Sequence, residues 1–213
     1  GNGGRCIVAF AADLGFRSFD FEAPDGPHSA ELISGEAGPF SHEARIVRLK
    51  MKDVSSAAAY ENGPDREPDL FLDTGTRHAV RFVDNVNDID VVGEGRVLRY
   101  SPDFAPVGAN VNFVQVNADG SITVRTYEKG VEDETLACGT GIVASAMATW
   151  IAHKRHEQGK IVSIPVHARI SDLSVSFRPS DVACESSAPA SFSASDVYLT
   201  GPAVFVGKVI TDL

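Results

Sequence analysis

The spacing of apolar residues divides the 213-residue chain into two helices set among many short strands. Ile7, Val8, Phe10, Ala11 and Leu14 form a stripe at helical spacing over residues 4–14, and Gly15 stands where a C-terminal cap glycine belongs. The Pro-, Gly-, Ser- and acid-rich stretch 16–42 predicts short strands and turns. EARIVRLKM (43–51) alternates as a strand does, and 52–68 reads as a surface loop. LFLDTG and HAVRFV predict two strands separated by a turn at Gly75. ANVNFVQV (109–116), the turn NADG and SITVRTY (121–127) predict a hairpin, because a DG turn joins two alternating runs. GEGR at 93–96 reads as a turn. EKGVEDETLA reads as a loop whose acidic run Glu132-Asp133-Glu134 is solvated, with a place in a lid as the alternative. The longest helical pattern, over 139–155, carries Ile142, Val143, Ala146, Met147, Trp150 and Ile151. IVSIPVHARI, LSVSF, DVYLT and AVFVG return to strand, and the Ser/Ala crowding of 183–195 predicts a polar hairpin loop. The expected class is α+β.

One internal repeat adds chemistry to this pattern. GNGGRCIVAFAADLG (1–15) resembles GTGIVASAMATWIAH (139–153): each is Gly-x-Gly followed by a helix of small and aliphatic residues. Cys138 stands immediately before the second copy, while the sequence opens on the first. The first turn of a helix presents unpaired N–H groups and the positive end of the dipole, so a thiol there is expected to have a lowered pKa. Glycines at this turn let backbone amides approach a ligand, and the same helix end suits a carboxylate. A buried cysteine beside a capping turn is the alternative reading of the stretch. Two such ends facing one another place acid/base groups on opposite sides of one carbon, as stereoinversion requires: one thiolate removes the α-proton and the opposite thiol returns a proton to the other face.

Composition narrows the field. The sequence is 43% hydrophobic and 23% charged with a formal charge of −10, the profile of an ordinary globular protein without a basic face for nucleic acid or an anionic membrane. No apolar run approaches the ~18 residues of a membrane span. Cys6, Cys138 and Cys184 make neither a disulfide framework nor a CxxC zinc pair, so a reducing compartment is expected. Cys6 reads as a core or packing thiol and Cys184 as incidental. His153, Lys154, Arg155 and His156 complement the C-terminus of the long helix rather than hold a metal. GEGR lacks the length and the Lys-Ser or Lys-Thr of a phosphate loop.

GANVNFVQV, RTYEKG and ETLACGTG, in this order and spacing, resemble the diaminopimelate epimerase family of cofactor-independent amino acid epimerases. GNGGRC is similar to that family's other signature, Met-Cys-Gly-Asn-Gly-x-Arg-Cys, without its first two residues. The likeness runs from residue 1 to about 150 and fades in the strand-rich tail. It implies two pseudo-symmetric lobes, each a curved, mostly antiparallel sheet around a central helix, with the site in the cleft between them. Residues 1–45 then belong to an incomplete first lobe, 46–199 to the second, and 200–213 to a return strand to the first. The implied activity is interconversion of LL- and meso-diaminopimelate without pyridoxal phosphate or metal, in the bacterial cytoplasm, by a homodimer whose partner is its small-molecule substrate.

Carried over residue by residue, the resemblance makes Cys138 one of two acid/base thiols. Gly139 and Thr140, with Gly1 and Asn2, become donors to the reacting carboxylate. Asn110, Glu128 and Lys129 then hold the distal amino and carboxylate groups, and His78 becomes a neighbour of the thiols. Thr76 falls where the family often has a substrate-contacting Asn. Two positions depart from the pattern: Lys129 replaces an Arg and lacks its planar fork, and Arg77 replaces the proline before His78. The first catalytic cysteine belongs immediately before Gly1, so the chain as it stands is expected to be inactive. A racemase of another amino acid on the same fold, or a non-catalytic anion-binding module, are the alternatives. A second charged substrate terminus, suited to Asn110, Glu128 and Lys129, and a depressed Cys138 pKa discriminate in favour of the first reading.

Overall fold

Among the described residues three α-helices lie against one mixed sheet. The computed structural model describes residues 1–23, 26–34, 40–60, 69–153, 160–180 and 192–208. Along the chain these form α1 (Asn2–Asp13), β1 (Phe19–Ala23), β2 (Gly26–Ser34), β3 (Arg45–Lys50), β4 (Ala57–Tyr60), β5 (Asp69–Asp73), β6 (Arg77–Phe82), α2 (Val91–Arg99), β7 (Asn110–Val116), β8 (Ile122–Glu128), β9 (Asp133–Thr135), α3 (Gly139–His153), β10 (Val162–His167), β11 (Asp172–Pro179) and β12 (Ala194–Ala203). The sheet order is β1-β2-β3-β12-β11-β10-β8-β7-β6-β5-β4, with β9 paired to β8. Only β6–β7 and β8–β10 are parallel among the described strands. The class is therefore α+β. No described helix is long and apolar enough to cross a membrane.

Each copy of the Gly-x-Gly repeat becomes a helix held by its own part of the sheet. α3 is apolar on every side, and a helix of that kind must be enclosed. It packs against β5, β6, β7, β8, β10 and β11, and Gly139 and every residue from Gly141 to Ile151 is buried. Its two interior hydroxyls are satisfied within the helix, Ser145 Oγ donating to the Gly141 carbonyl at 2.7 Å and Thr149 Oγ1 to that of Ser145 at 2.8 Å. Trp150 is fully buried, with Phe192 at 5.8 Å and Phe177 at 6.4 Å between ring centroids. Trp150→Ala is expected to destabilise the protein by about 3–5 kcal/mol, measured by chemical denaturation followed by circular dichroism. A loss near zero contradicts a close-packed centre.

α1 packs against β2, β3 and β12, and Gly15, at φ 92°, ends it as anticipated. The buried face, however, is Arg5, Val8 and Ala9, while Ile7, Phe10 and Leu14 of the expected stripe are more than half exposed. Cys6 is exposed rather than a core thiol. At its far end Asp13 pairs with Arg45 of β3, both side chains almost wholly buried.

Four further local readings are corrected. GEGR lies inside a third helix, α2, whose N-cap Asp90 accepts the Gly93 amide at 3.0 Å. Gly95 is there for packing, since a Cβ would come within 2.5 Å of Tyr127 Cβ. The stretch 52–68 contains the edge strand β4, whose Tyr60 ring meets Phe71 and Phe104; AAAY carries no local strand signal, so pairing with β5 decides it. Asp133–Thr135 is a strand, not a loop. The acidic run is not solvated throughout: Glu134 is 9% exposed and bidentate with Arg125 at 2.7 Å for both contacts, and Glu132 accepts from Tyr127 and Tyr100 and pairs with Arg99. Lys154, Arg155, His156, Cys184 and most of the 183–195 loop lie outside the described residues. His153 ends α3 with its ring edge-on to Phe82 at 4.9 Å.

Candidate active site

The two repeats meet at their first glycines. A Cβ built on Gly1 would lie 2.9 Å from Gly139 Cα, and one built on Gly139 would lie 2.8 Å from Gly1 Cα, so backbone touches backbone and neither position has room for a side chain. Asn2 closes the contact by donating from Nδ2 to the Ala137 carbonyl at 3.0 Å. Arg5 Nη2 donates to Asn2 Oδ1 at 3.0 Å and so fixes which end of that amide faces Ala137. α1 starts without a side-chain cap, and neither helix has an acid in its first turn. The first intrahelical bonds are Arg5 N–H to the Gly1 carbonyl and Ile142 N–H to the Cys138 carbonyl, which leaves the earlier amides of both turns without partners inside their helices. Two positive helix ends therefore converge on one spot.

Cys138 stands at this spot, 8% exposed. Its Sγ is 3.5 Å from Thr140 Oγ1. The helix start was expected to depress this thiol; instead burial pushes it up, the Glu128 charge adds to the rise, and hydrogen bonds from Thr140 and the Gly141 amide only partly offset them. Desolvation thus outweighs the helix end, and the resting group is a protonated thiol at neutral pH.

His78, on β6, is fully buried beside it. Nε2 lies 2.9 Å from Thr76 Oγ1 and 3.0 Å from Thr140 Oγ1, and those two hydroxyls are 3.0 Å apart. Nδ1 is 3.2 Å from Asn112 Nδ2. Burial lowers the His78 pKa from 6.5 to about 3, so the ring is neutral. Unfolded His78 takes up a proton near pH 6.5 that the folded ring refuses, so its contribution to stability is present above that pH and is lost as pH falls towards 3. Between about pH 6.5 and 5, where carboxylates still hold their charge, unfolding free energy is expected to drop by about 1.5 kcal/mol. Urea midpoints across that window check this, and a flat profile contradicts a neutral buried His78.

Asn110 lies two residues before Asn112 on β7. Its Nδ2 donates to the Arg77 carbonyl at 3.0 Å and its Oδ1 accepts the Lys129 amide at 2.9 Å, which leaves one N–H of the side chain uncommitted. Glu128 is half-buried and close enough to Cys138 to act on it electrostatically, while Lys129 is exposed. The structure thus gathers Cys138, Gly139, Thr140, Gly1, Asn2, Thr76 and His78 at one place, with Asn110 and the Glu128–Lys129 turn beside it. Four residues that sequence reasoning missed support the group: Arg5, Thr74 (whose hydroxyl donates to the Thr140 carbonyl at 3.0 Å), Asn112 and Thr126. Asn112, Arg5 and Thr126 each stand in a stretch that carries the resemblance, ANVNF, GNGGRC and RTYEKG, without a role being read for them; Thr74 carried no signal.

The architecture is shared with amino acid racemases and epimerases of known structure. A probable proline racemase from Agrobacterium radiobacter superposes at a TM-score of 0.62 with 17% identity, over 100% of this chain and 68% of that one. A hydroxyproline epimerase from Agrobacterium vitis superposes at 0.65 with 16% identity, over 97% of this chain and 65% of that one. At the level of sequence, the diaminopimelate epimerase family profile matches residues 70–175. The diaminopimelate epimerases of Flavobacterium psychrophilum and Chlorobaculum tepidum are each 36% identical, over 97% and 95% of this chain and 70% of their own length. The chain belongs to the diaminopimelate epimerase family.

Proposed function

We propose that the protein interconverts LL- and meso-diaminopimelate by proton transfer between two thiols, of which Cys138 is one. The observation that carries this reading is the contact of the two helix starts at Gly1 and Gly139, with Cys138 at its edge. Equating Gly1 with Gly139 assigns the partner thiol to the position before Gly1, where the family motif has its cysteine. The reacting carboxylate lies against the amides of Gly139 and Thr140 and of Gly1 and Asn2, which stabilise the charge that develops as the α-proton leaves. Burial raises the Cys138 pKa, the opposite of the depression that would set an acid/base thiol apart from an anion-binding turn, so the reading rests on the geometry of the contact; as a protonated thiol Cys138 is the proton-donating member and its partner begins as the thiolate. Asn110, Glu128 and Lys129 take the distal amino and carboxylate groups, and Thr76 and His78 flank the reacting centre. In this reading residues 1–45 belong to a first lobe, 46–199 to a second and 200–213 return to the first, with substrate between them. The fit of this chemistry to a homodimer in the bacterial cytoplasm follows the family resemblance.

The test is turnover by the full-length protein. LL-diaminopimelate is expected to equilibrate with the meso form without added pyridoxal phosphate, while proline is left unchanged. Turnover of proline in preference to diaminopimelate overturns the substrate, and no turnover of either overturns the activity. A polypeptide spanning residues 1–213 carries one thiol at the contact and is expected to give no net epimerisation.

A further inference from the structure

We propose that Asn112 is a positioning residue: it holds the neutral imidazole of His78 in its Nε2–H form, and so leaves the Thr140 hydroxyl to donate to Cys138 Sγ. The inference rests on the reading of Cys138 given above. The orientation of the Asn112 amide is fixed independently of His78. Its Nδ2 lies 3.1 Å from the Ala79 carbonyl, which only accepts, and its Oδ1 receives the Thr126 hydroxyl at 2.9 Å. Nδ2 therefore faces His78 Nδ1 with its second N–H, and Nδ1 must be the accepting nitrogen. A neutral ring then carries its proton on Nε2.

From there the direction of donation is set. Nε2–H points at Thr140 Oγ1 and Thr76 Oγ1. Thr140 Oγ1 can accept from Nε2 and from Thr76, and its own proton is then free for Sγ at 3.5 Å. With the proton on Nδ1 instead, Nε2 becomes an acceptor for which the Thr76 and Thr140 hydroxyls compete, and the Thr140 proton is no longer reserved for sulfur. The same logic governs a Ser-His-Asp triad, where Asn in place of Asp forces the wrong tautomer. Here the tautomer that an Asn imposes is the useful one, because His78 serves as a fixed donor. The arrangement has no slack. A Cβ on Gly141 would come within 2.3 Å of Asn112 Oδ1 and 3.3 Å of His78 Cε1, so α3 lies directly on the pair. Around the ring, Thr76 stands just before β6, β7 brings Asn112, β8 brings Thr126 behind it, and α3 brings Thr140 with Cys138 at its entrance, where the Glu128 charge acts. Glu128 and Cys138 are the titratable groups among these, and the shift of His78 comes from burial alone.

The experiment uses full-length protein labelled with nitrogen-15 at histidine. The wild-type His78 ring is expected to carry its proton on Nε2 alone and not to titrate between about pH 5 and 9. Asn112→Asp replaces the donor by an acceptor. It is expected to move the proton to Nδ1, to bring the ring into that titration range, and to slow iodoacetamide alkylation of Cys138 near pH 8 by about tenfold, as loss of one hydrogen bond to a thiolate does. Alkylation is read peptide by peptide, which separates Cys138 from Cys6 and Cys184. A wild-type ring protonated at Nδ1 at neutral pH overturns the proposal, as does an Asn112→Asp protein with unchanged tautomer and alkylation rate. Should Asn112→Asp not fold, the wild-type spectrum still decides the tautomer and Thr140→Val decides the hydroxyl: about tenfold slower alkylation supports the proposal and an unchanged rate overturns it. None of these readouts uses epimerase turnover, so failure of the proposed substrate leaves them standing.

Discussion

Cys138→Ala in the full-length protein is expected to lower epimerisation by about 10³-fold or more with little change in KM. The α-proton of an amino acid is a very weak acid, and in the proposed reaction the barrier is met by positioned acid/base groups and by amides aimed at the developing charge. Alanine leaves those amides in place, which preserves binding, and removes one of the two groups that exchange protons with the α-carbon. The space it vacates is small and Cys138 is at the edge of the core, so the fold is expected to survive. Kinetics in both directions check the prediction. A variant that retains more than about a tenth of wild-type turnover places the proton transfer elsewhere.

Gly139→Ala is expected to be nearly as damaging for a different reason. The new methyl group would sit 2.8 Å from Gly1 Cα and 3.2 Å from Leu199 Cδ2. Leu199 is a fully buried core side chain and Gly1 presents backbone, so neither can yield cheaply. Overpacking of this kind costs about 1–3 kcal/mol of stability. It also pushes apart the two helix starts whose amides share one carboxylate in the proposed reaction, and a displacement of about 1 Å at a reacting centre is worth about 10²-fold in rate. Gly3→Ala is the control, because a Cβ there meets nothing within 4 Å. Stability follows from denaturant midpoints and rate from the same epimerisation assay. Equal behaviour of the two variants would show that the glycine contact is not what aligns the site.

The fold was legible wherever hydrophobic period and turn chemistry agreed. The β7–β8 hairpin around NADG, the β5–β6 pair around Gly75 and the enclosed α3 all follow from patterns confined to a few residues. Misreadings arose where tertiary contact decides. Two glycines made Val91–Arg99 look unhelical, yet Gly95 is required by the approach of Tyr127. Glu134 reads as solvated until Arg125, on a paired strand, supplies its partner. For α1 the periodicity gave the helix but not its inward face, since Ile7, Phe10 and Leu14 point away from β3 and β12.

The candidate site divides in the same way. Cys138, Thr140 and the glycines were found through the repeat, because a helix start is a local motif. The direction of the Cys138 shift was misjudged: motif chemistry speaks for the helix end, but burial is a property of the folded chain and here it is larger. Asn112 and Thr126 connect to Cys138 through His78 and Thr140, a chain of contacts that β6–β7–β8 pairing creates and no spacing along the chain encodes.

The central claim is that protons reach the two faces of one carbon from two different groups, and solvent isotope tests it most directly. LL-diaminopimelate is to be incubated with the full-length protein in heavy water, and early samples analysed for stereochemistry and label together. Two thiols on opposite faces predict that the first meso product carries deuterium at the inverted α-carbon while the remaining LL substrate is still unlabelled. A single group serving both faces would return the abstracted proton, and early meso product that retains protium would contradict the account.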